Sequence, residues 1–503
     1  MTAPALPAPR TDLKPNTADF ERLPYVKPTG FREYDARWLY PQEVNLMGMQ
    51  AIGMGLATLL RERGVPVRIV TGHDYRSYSA SIKCALMAGM LAGGGEVHDI
   101  GLALSPMAYF AQFALEVEGV AMVTASHNDN GWTGIKMGMG RPLTFGPDDM
   151  IALKEIVLEG RYEAHTGGSY HFHSDMAQRY IDDLANRAPF KRKIKAVVAC
   201  GNGTAGAFAP QVLERLGLDI VPLNVDLDYN FPNHNPNPED LKMLHAICDA
   251  VKASGADVGL AFDGDGDRCG VVDNEGNEIF ADKMGVMLAR DFSAAHANAH
   301  FVVDVKSTGL FATDPVLQAN GARTVYWKTG HSYIKRYSHE TGALAGFEKS
   351  GHFFFNPPLG RGYDDGLVAA IAVCDMLAHN PDKSMADLYR ALPKTWQSPT
   401  MSPHCGDEVK YGVVERVIEH FKALAERGGT LAGQRIRDVI DVNGIRIVLE
   451  DGTWGLIRAS SNKPELVVVV ESPVSDANMR AIFAELDAHL ATYPEVGEYN
   501  QKL

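Results

Sequence analysis

Three carboxylates stand at alternating positions in Asp263-Gly264-Asp265-Gly266-Asp267-Arg268. Glycine between them permits tight backbone angles, so the three side chains can converge. Converged carboxylates without a counter-ion repel one another, and some take up protons. A hard divalent cation resolves that repulsion, and a donor set made only of oxygen points to Mg2+. Three protein ligands also leave room for a phosphate oxygen. The loop is no EF-hand, which needs Gly at its sixth position and Glu at its twelfth, where Arg268 and Asn274 stand. A second candidate is Thr124-Ala125-Ser126-His127-Asn128, which follows an apolar run at 120–123. A hydroxyl beside an imidazole and an amide at a strand end suits a nucleophile or a phosphate carrier. Taken alone, the same five residues describe a capping serine beside a surface histidine. Lys136, ten residues on, offers a positive charge to a phosphoryl group.

Two further loops carry polar groups at useful spacing. Glu348 and Ser350, within Gly346-Phe347-Glu348-Lys349-Ser350-Gly351-His352, point the same way if the segment is extended, and can then bond vicinal hydroxyls of a sugar. Arg458-Ala459-Ser460-Ser461-Asn462-Lys463 gathers a guanidinium, two hydroxyls and an amide, a cradle for a phosphate dianion. Polar turns and solvated loops share these compositions. Gly201-Asn202-Gly203-Thr204-Ala205-Gly206 matches the dinucleotide fingerprint, with Asp226 at about the right distance. It keeps a nicotinamide-dependent dehydrogenase as a rival.

The elements that must position these loops repeat. Strand, polar loop, helix, glycine and strand recur from residue 67, from residue 196 and from residue 301. Three α/β domains of similar plan follow, each presenting its first loop where such sheets bind ligands. The last hundred residues differ. A helical pattern at 413–424 precedes strand-like runs at 445–448 and 466–470, with a hairpin turn at Glu450-Asp451-Gly452 and a helix capped by Ser475. That is an α+β domain. The expected boundaries are a Pro-rich extended arm at 1–29, α/β domains at 30–170, 171–276 and 277–392, and the α+β domain at 393–503.

Composition narrows the partners. The 503 residues are 46% hydrophobic and 22% charged, enough apolar material for each domain to build a core. Lys and Arg number 48 against 62 Asp and Glu, a net charge of −14 that disfavours nucleic acid and anionic membranes. No apolar run reaches the roughly 18 residues a membrane span needs. The six scattered cysteines form no metal-binding or redox motif, which fits a reduced, cytoplasmic protein with buried thiols.

Each loop is ambiguous alone, but their order is distinctive. A Ser-His-Asn loop, a DGDGDR loop, a Glu-x-Ser-Gly-His loop and an Arg-x-Ser loop, one per domain, resemble the α-D-phosphohexomutase superfamily, on the side of its bacterial phosphomannomutase/phosphoglucomutase members. The resemblance covers about residues 30–500 and implies four domains around a central cleft. It implies that Ser126 is a phosphoserine, with His127 beside it, and that Asp263, Asp265 and Asp267 hold Mg2+ together with the Ser126 phosphate. Tyr34, Asp35 and Arg37 match the YD-x-R segment, with Arg37 beside the phosphoserine. Arg268, Lys306, His331 and His352 match phosphosugar-contacting positions, His352 and Lys136 being candidates for the proton acceptor. Glu348 and Ser350 would bind sugar hydroxyls. Arg458, Ser460, Ser461 and Asn462 would anchor the phosphate that does not react. The sequence departs from the pattern at Trp38, Asp129 and the Ser461-Asn462-Lys463 run.

The implied reaction moves a phosphoryl group between C1 and C6 of mannose or glucose phosphate, through a hexose 1,6-bisphosphate that turns in the cleft. The implied partner is a small hexose phosphate, and the implied state a monomer or weak homo-oligomer. A phosphoglucosamine mutase and a non-catalytic sugar-phosphate sensor are the alternatives.

Overall fold

The computed structural model describes residues 23–461 and 463–503. They form two compact units. One runs to Phe280 and takes in Ser350–Ala386; the other comprises Ala281–Lys349 and Asp387–Leu503.

The first unit contains two sheets. Their centres are the parallel β-branched runs expected from the repeat. Arg68–His73 lies between Glu96–Leu102 and Gly119–Val123, parallel to both. Lys195–Ala199 lies likewise between Asp219–Leu223 and Val258–Phe262. Each sheet then continues with an antiparallel strand that the repeat did not reveal. Trp132–Met139 pairs antiparallel with Gly119–Val123 in the first sheet, and Cys269–Asp273 with Val258–Phe262 in the second. The Ser126 loop and the Asp263–Asp267 loop are therefore the turns of two hairpins, each rising from a wholly buried strand. The strand Ala36–Leu39 adds to the edge of the first sheet, with Arg37 opposite Gly134.

Residues 1–22 of the expected arm lie outside the described residues. Residues 23–29 rest on the first sheet's domain: Val26 is buried, Lys27 N–H donates to Glu43 O at 2.8 Å, and Asn45 Nδ2 donates to Leu23 O at 2.7 Å. The departure at Trp38 has a local use there, because its fully buried indole donates to Lys27 O at 2.9 Å.

In the second unit, His300–Asp304 runs parallel to Arg323–Trp327 on one side and to Ala345–Phe347 on the other. All three strands deliver their C-terminal ends to one edge. The helix expected between the first two is broken into Leu310–Thr313 and Pro315–Ala319, because Asp314 takes an extended conformation and caps the second piece ahead of Pro315. An antiparallel sheet follows, ordered Trp396–Gln397, Leu466–Ser472, Trp454–Ala459, Ile445–Leu449, Gln434–Ile440, Thr430–Leu431. Helices Lys410–Glu426 and Asp476–Leu490 bury their apolar faces with it in one core, and Ser475 caps the latter through Asn478 N–H. The four domains thus comprise three mixed or parallel α/β sheets and a C-terminal α+β layer. Among the described residues no helix is long and apolar enough to cross a membrane. The six cysteines are free thiols; Cys84 is exposed, contrary to the expectation of burial, and the other five are buried.

Candidate active site

In the first unit the serine loop and the acidic loop meet. Ser126 is 3% exposed and its Oγ donates to Asp263 Oδ2 at 3.1 Å. The loop that presents it is strained, since Ser126 has φ of 52°, a left-handed conformation that costs a non-glycine residue of order 1–3 kcal/mol. Two residues that sequence reasoning passed over hold it there. Asp74 Oδ2 accepts from Thr124 Oγ1 at 3.0 Å and from Ala125 N–H at 3.2 Å. The buried Arg76 guanidinium donates to three carbonyls of the loop, Ser126 O at 3.0 Å, Asn128 O at 2.7 Å and Asp129 O at 3.0 Å. The only signal for this clamp was the position of Asp74 and Arg76 after the first parallel strand, where loops meet ligands. His127 Nδ1 lies 3.3 Å from Ser126 Oγ.

The three aspartates converge as their spacing predicts: one oxygen of each lies within 4.8 Å of the others, and all three residues are fully buried. Their environments differ. Asp263 accepts the N–H groups of Asp267 and Arg268, yet burial first, and then the charges of Asp267 and Asp265, push its carboxyl well above the ordinary range. Asp265 is buried too, but the Lys136 ammonium at 2.7 Å and the Ser105 hydroxyl at 2.6 Å hold it well below that range. Lys136 also bonds Asp267, and the two carboxylates raise its pKa against the effect of burial. Lys136 thus faces carboxylates, placed there because it stands opposite Met122 on the antiparallel strand. Arg37 is buried on the edge strand, pairs with Asp35 at 2.9 Å, and adds its field to the lowering of Asp265. Tyr34 is buried as well.

This cluster suits a hard cation. Asp265 Oδ1 and Asp267 Oδ1 are buried with no hydrogen-bond partner. Orphaned carboxylate oxygens in an all-oxygen set are what such an ion satisfies.

On the far side of the loop, Arg268 Nε donates to His352 Nε2 at 2.9 Å, and His352 Nδ1 bonds Asp364 Oδ2 at 2.9 Å. His352 is therefore the Nδ1–H tautomer, and its Nε2 is engaged by Arg268 in this conformation. Asp364 was not singled out by the sequence. Gly366 N–H donates to Gly266 O at 3.0 Å, so the start of the helix Gly366–His379, capped by Asp365 next to Asp364, supports the acidic loop from behind. The dinucleotide-like loop has a similar task. Thr204 N–H donates to Gly264 O at 3.2 Å, and Thr204 Oγ1 accepts Tyr75 N–H at 2.9 Å. It is a support for the acidic loop, which removes the motif as an argument for a dehydrogenase.

The second unit holds Lys306, His331, Glu348 and the Arg458 loop. At the shared strand edge, Asp304 accepts from Ser307 Oγ at 2.5 Å and from Lys349 N–H at 3.3 Å, and lies 3.8 Å from Lys306 Nζ. Glu348 accepts Gly330 N–H at 2.5 Å, which fixes it beside the start of the helix His331–Thr341 and so beside His331. Arg458 Nη2 donates to Ser461 Oγ at 3.1 Å, and Arg458 Nε donates to Asn443 Oδ1 at 2.8 Å. Asn443 Oδ1 also accepts Thr329 N–H at 3.3 Å, and so links the Arg458 loop to the loop before His331. Ser460 Oγ accepts Lys463 N–H at 3.3 Å. Asn462 lies outside the described residues.

One expectation fails locally. The Glu348–Ser350 segment is not extended: the strand ends at Phe347 and the chain turns at Lys349–Ser350, so alternate spacing does not align the two side chains. Ser350 is half-buried.

Sequence models of the four phosphoglucomutase/phosphomannomutase domains match in order. Alpha/beta/alpha domains I, II and III match residues 28–163, 178–276 and 280–396, and the C-terminal domain matches 411–489. A phosphomannomutase/phosphoglucomutase of Pseudomonas syringae is 32% identical over 89% of this chain and 92% of its own length. A phosphoglucomutase of Neisseria gonorrhoeae is 33% identical over 89% of this chain and 94% of its own. The crystal structure of a phosphoglucomutase/phosphomannomutase family protein from Burkholderia thailandensis superimposes with a TM-score of 0.83 at 30% identity, covering 94% of this chain and 99% of the other. With an acidic triad closing on a strained serine and all four domain types present in sequence, the chain belongs to the phosphoglucomutase/phosphomannomutase family.

Proposed function

We propose that this enzyme, an isomerase of the phosphohexomutase type, moves a phosphoryl group reversibly between C1 and C6 of mannose or glucose phosphate, with Ser126 as the covalent carrier. The observation that carries the reading is the 3.1 Å bond from Ser126 Oγ to Asp263 inside a buried triad of carboxylates. Asp263, Asp265 and Asp267, with an oxygen of the Ser126 phosphate, would hold Mg2+, which supplies positive charge against the phosphoryl transition state. The phosphoserine P–O bond breaks as a bond forms to the free sugar hydroxyl, giving a hexose 1,6-bisphosphate. The hydroxyl proton goes to His352 Nε2, the basic atom of a ring whose other nitrogen is held by Asp364. For that transfer Arg268 leaves Nε2 and turns to phosphate. The bisphosphate reverses, Ser126 Oγ takes back its other phosphoryl group, and the sugar oxygen released by that step recovers the proton from His352 Nε2. Arg37, Lys136 and His127 assist at the phosphoserine.

Recognition falls to Tyr34, Arg268, Lys306, His331, Glu348 and Ser350 for one end of the sugar, and to Arg458, Ser460, Ser461 and Asn462 for the resting phosphate. Both orientations of the substrate offer a phosphate and hydroxyls, so one set of loops serves both. The reading extends to a cytoplasmic protein acting as a monomer or weak homo-oligomer.

Intact mass of purified protein treated with glucose 1,6-bisphosphate should show one added phosphoryl group on Ser126. Mannose 1-phosphate and glucose 1-phosphate should both turn over faster than glucosamine 1-phosphate. Binding with no turnover, even after Ser126 is phosphorylated, makes the protein a sensor and overturns the reading.

A further inference from the structure

Arg446, on the strand Ile445–Leu449, is among the largest fully buried side chains, and the proposed chemistry does not use it. Among the described residues no carboxylate forms an ion pair with it. Its guanidinium lies instead between two aromatic rings, 3.6 Å from the Trp454 centroid and 4.2 Å from that of Tyr326. Such stacking favours a desolvated cation, though burial still lowers its pKa. Nη1 donates to Val305 O at 2.9 Å and to Ser307 O at 2.6 Å. Those two carbonyls flank Lys306.

The residues just before Arg446 face the phosphate cradle. Asn443 accepts from Arg458 Nε and from Thr329 N–H. Gly444, at φ of 77°, permits the approach: a Cβ there would lie 2.2 Å from Ile457 O and 2.6 Å from the Arg458 Cα. One short stretch, 443–446, therefore holds Arg458 on one side and reaches both the Lys306 loop and the loop before His331.

We propose that Arg446 is a positioning residue that sets the distance between Lys306 and the Arg458 cradle, so that a single hexose phosphate meets both. It grips the backbone on each side of Lys306 from the same strand that supports Arg458. An arginine kept only for packing would need the ring stack but not the two carbonyls around a substrate-facing lysine. The inference rests on the function proposed above, and its test separates the two.

Wild-type turnover of glucose 1-phosphate, with glucose 1,6-bisphosphate as activator, is measured first; no turnover removes the underlying reading. Arg446→Lys and Arg446→Met are then compared in the full chain. A lysine reaches at most one carbonyl at a time, so both variants should raise KM for glucose 1-phosphate by roughly tenfold or more, with a smaller fall in kcat. Hydrolysis of phosphorylated Ser126 by water needs neither Lys306 nor Arg458, so its rate should not change. Should both variants fail to fold, Tyr326→Phe is the test, because its hydroxyl donates to Thr308 O at 2.8 Å at the end of the same loop. It too should raise KM. A folded active enzyme whose KM is unchanged, whatever its Tm, overturns the proposal. So does a loss shared equally by KM and phosphoserine hydrolysis, which marks a general disturbance.

Discussion

Gly264 lies against the backbone of Ser126 so closely that a Cβ on it would stand 2.5 Å from the Ser126 carbonyl oxygen. The acidic loop and the serine loop, 137 residues apart, are thus docked main chain to main chain. That contact is what allows the Ser126 hydroxyl to reach Asp263.

Gly264→Ala should push the two loops apart, because backbone cannot yield as a side chain can. Turnover of glucose 1-phosphate is expected to fall by about a hundredfold or more, and phosphorylation of Ser126 by glucose 1,6-bisphosphate should slow with it. Normal turnover in a folded Gly264→Ala protein would contradict the docking.

Lys136 is the resident counter-ion of Asp265 and Asp267. Removing it as Lys136→Met leaves two buried carboxylates uncompensated, a loss on the order of 3–5 kcal/mol. A divalent cation can replace the missing charge, so Mg2+ should raise the Tm of this variant more than that of the wild type. Thermal unfolding with and without Mg2+ reads this directly, and equal shifts would show that lysine and metal do not share the carboxylates.

Asp265→Asn keeps the shape of a side chain that already accepts from Ser105 and Lys136. It should abolish mutase activity by orders of magnitude in a protein that still folds at a lowered Tm, and the stabilisation by Mg2+ should shrink. Unchanged turnover rules out the triad as a metal site.

Glu471 supplies the pH dependence. It is fully buried and accepts from Thr308, Thr395, Trp454 and Gly309 as well as Lys283, so that, against the effect of burial, its pKa is lowered from 4.5 to about 2. A depressed carboxylate stabilises the fold above its unfolded pKa and loses that contribution as pH falls through the folded one. The contribution is about 3 kcal/mol at neutral pH, fading between pH 5 and 2. Glu471→Gln should lower stability at pH 7 and flatten its decline in that acid range. Parallel stability curves for the two proteins would refute the assignment.

Much of this site was legible in the chain because its chemistry is local. Asp263, Asp265 and Asp267 needed only each other and two glycines to be recognised, whereas Ser126-His127-Asn128 was ambiguous alone and stood out by its order with the acidic loop and the two loops after it. The parallel strands announced themselves by β-branched runs and by the glycine after each helix. The residues that escaped notice act at a distance. Arg76 binds carbonyls rather than a ligand, Asp364 acts on a histidine, and Asn443 joins two loops more than a hundred residues apart, so none of them carries a local pattern. The extended reading of Glu348–Ser350 failed for a related reason: a strand ends where its pairing ends, and pairing is a tertiary matter.

Residue order alone pointed to four domain types and to the acidic triad, the serine and the Arg458 loop as candidate site residues, since those readings follow from short-range spacing and side-chain chemistry. Only the folded chain decided that Lys136 neutralises the aspartates, that the glycine-rich loop at 201–206 braces them, and that Arg446 reaches into the backbone around Lys306. Each of those outcomes depends on which strands pair and in what register, and register is set by the burial of whole strands rather than by the residues that perform the chemistry.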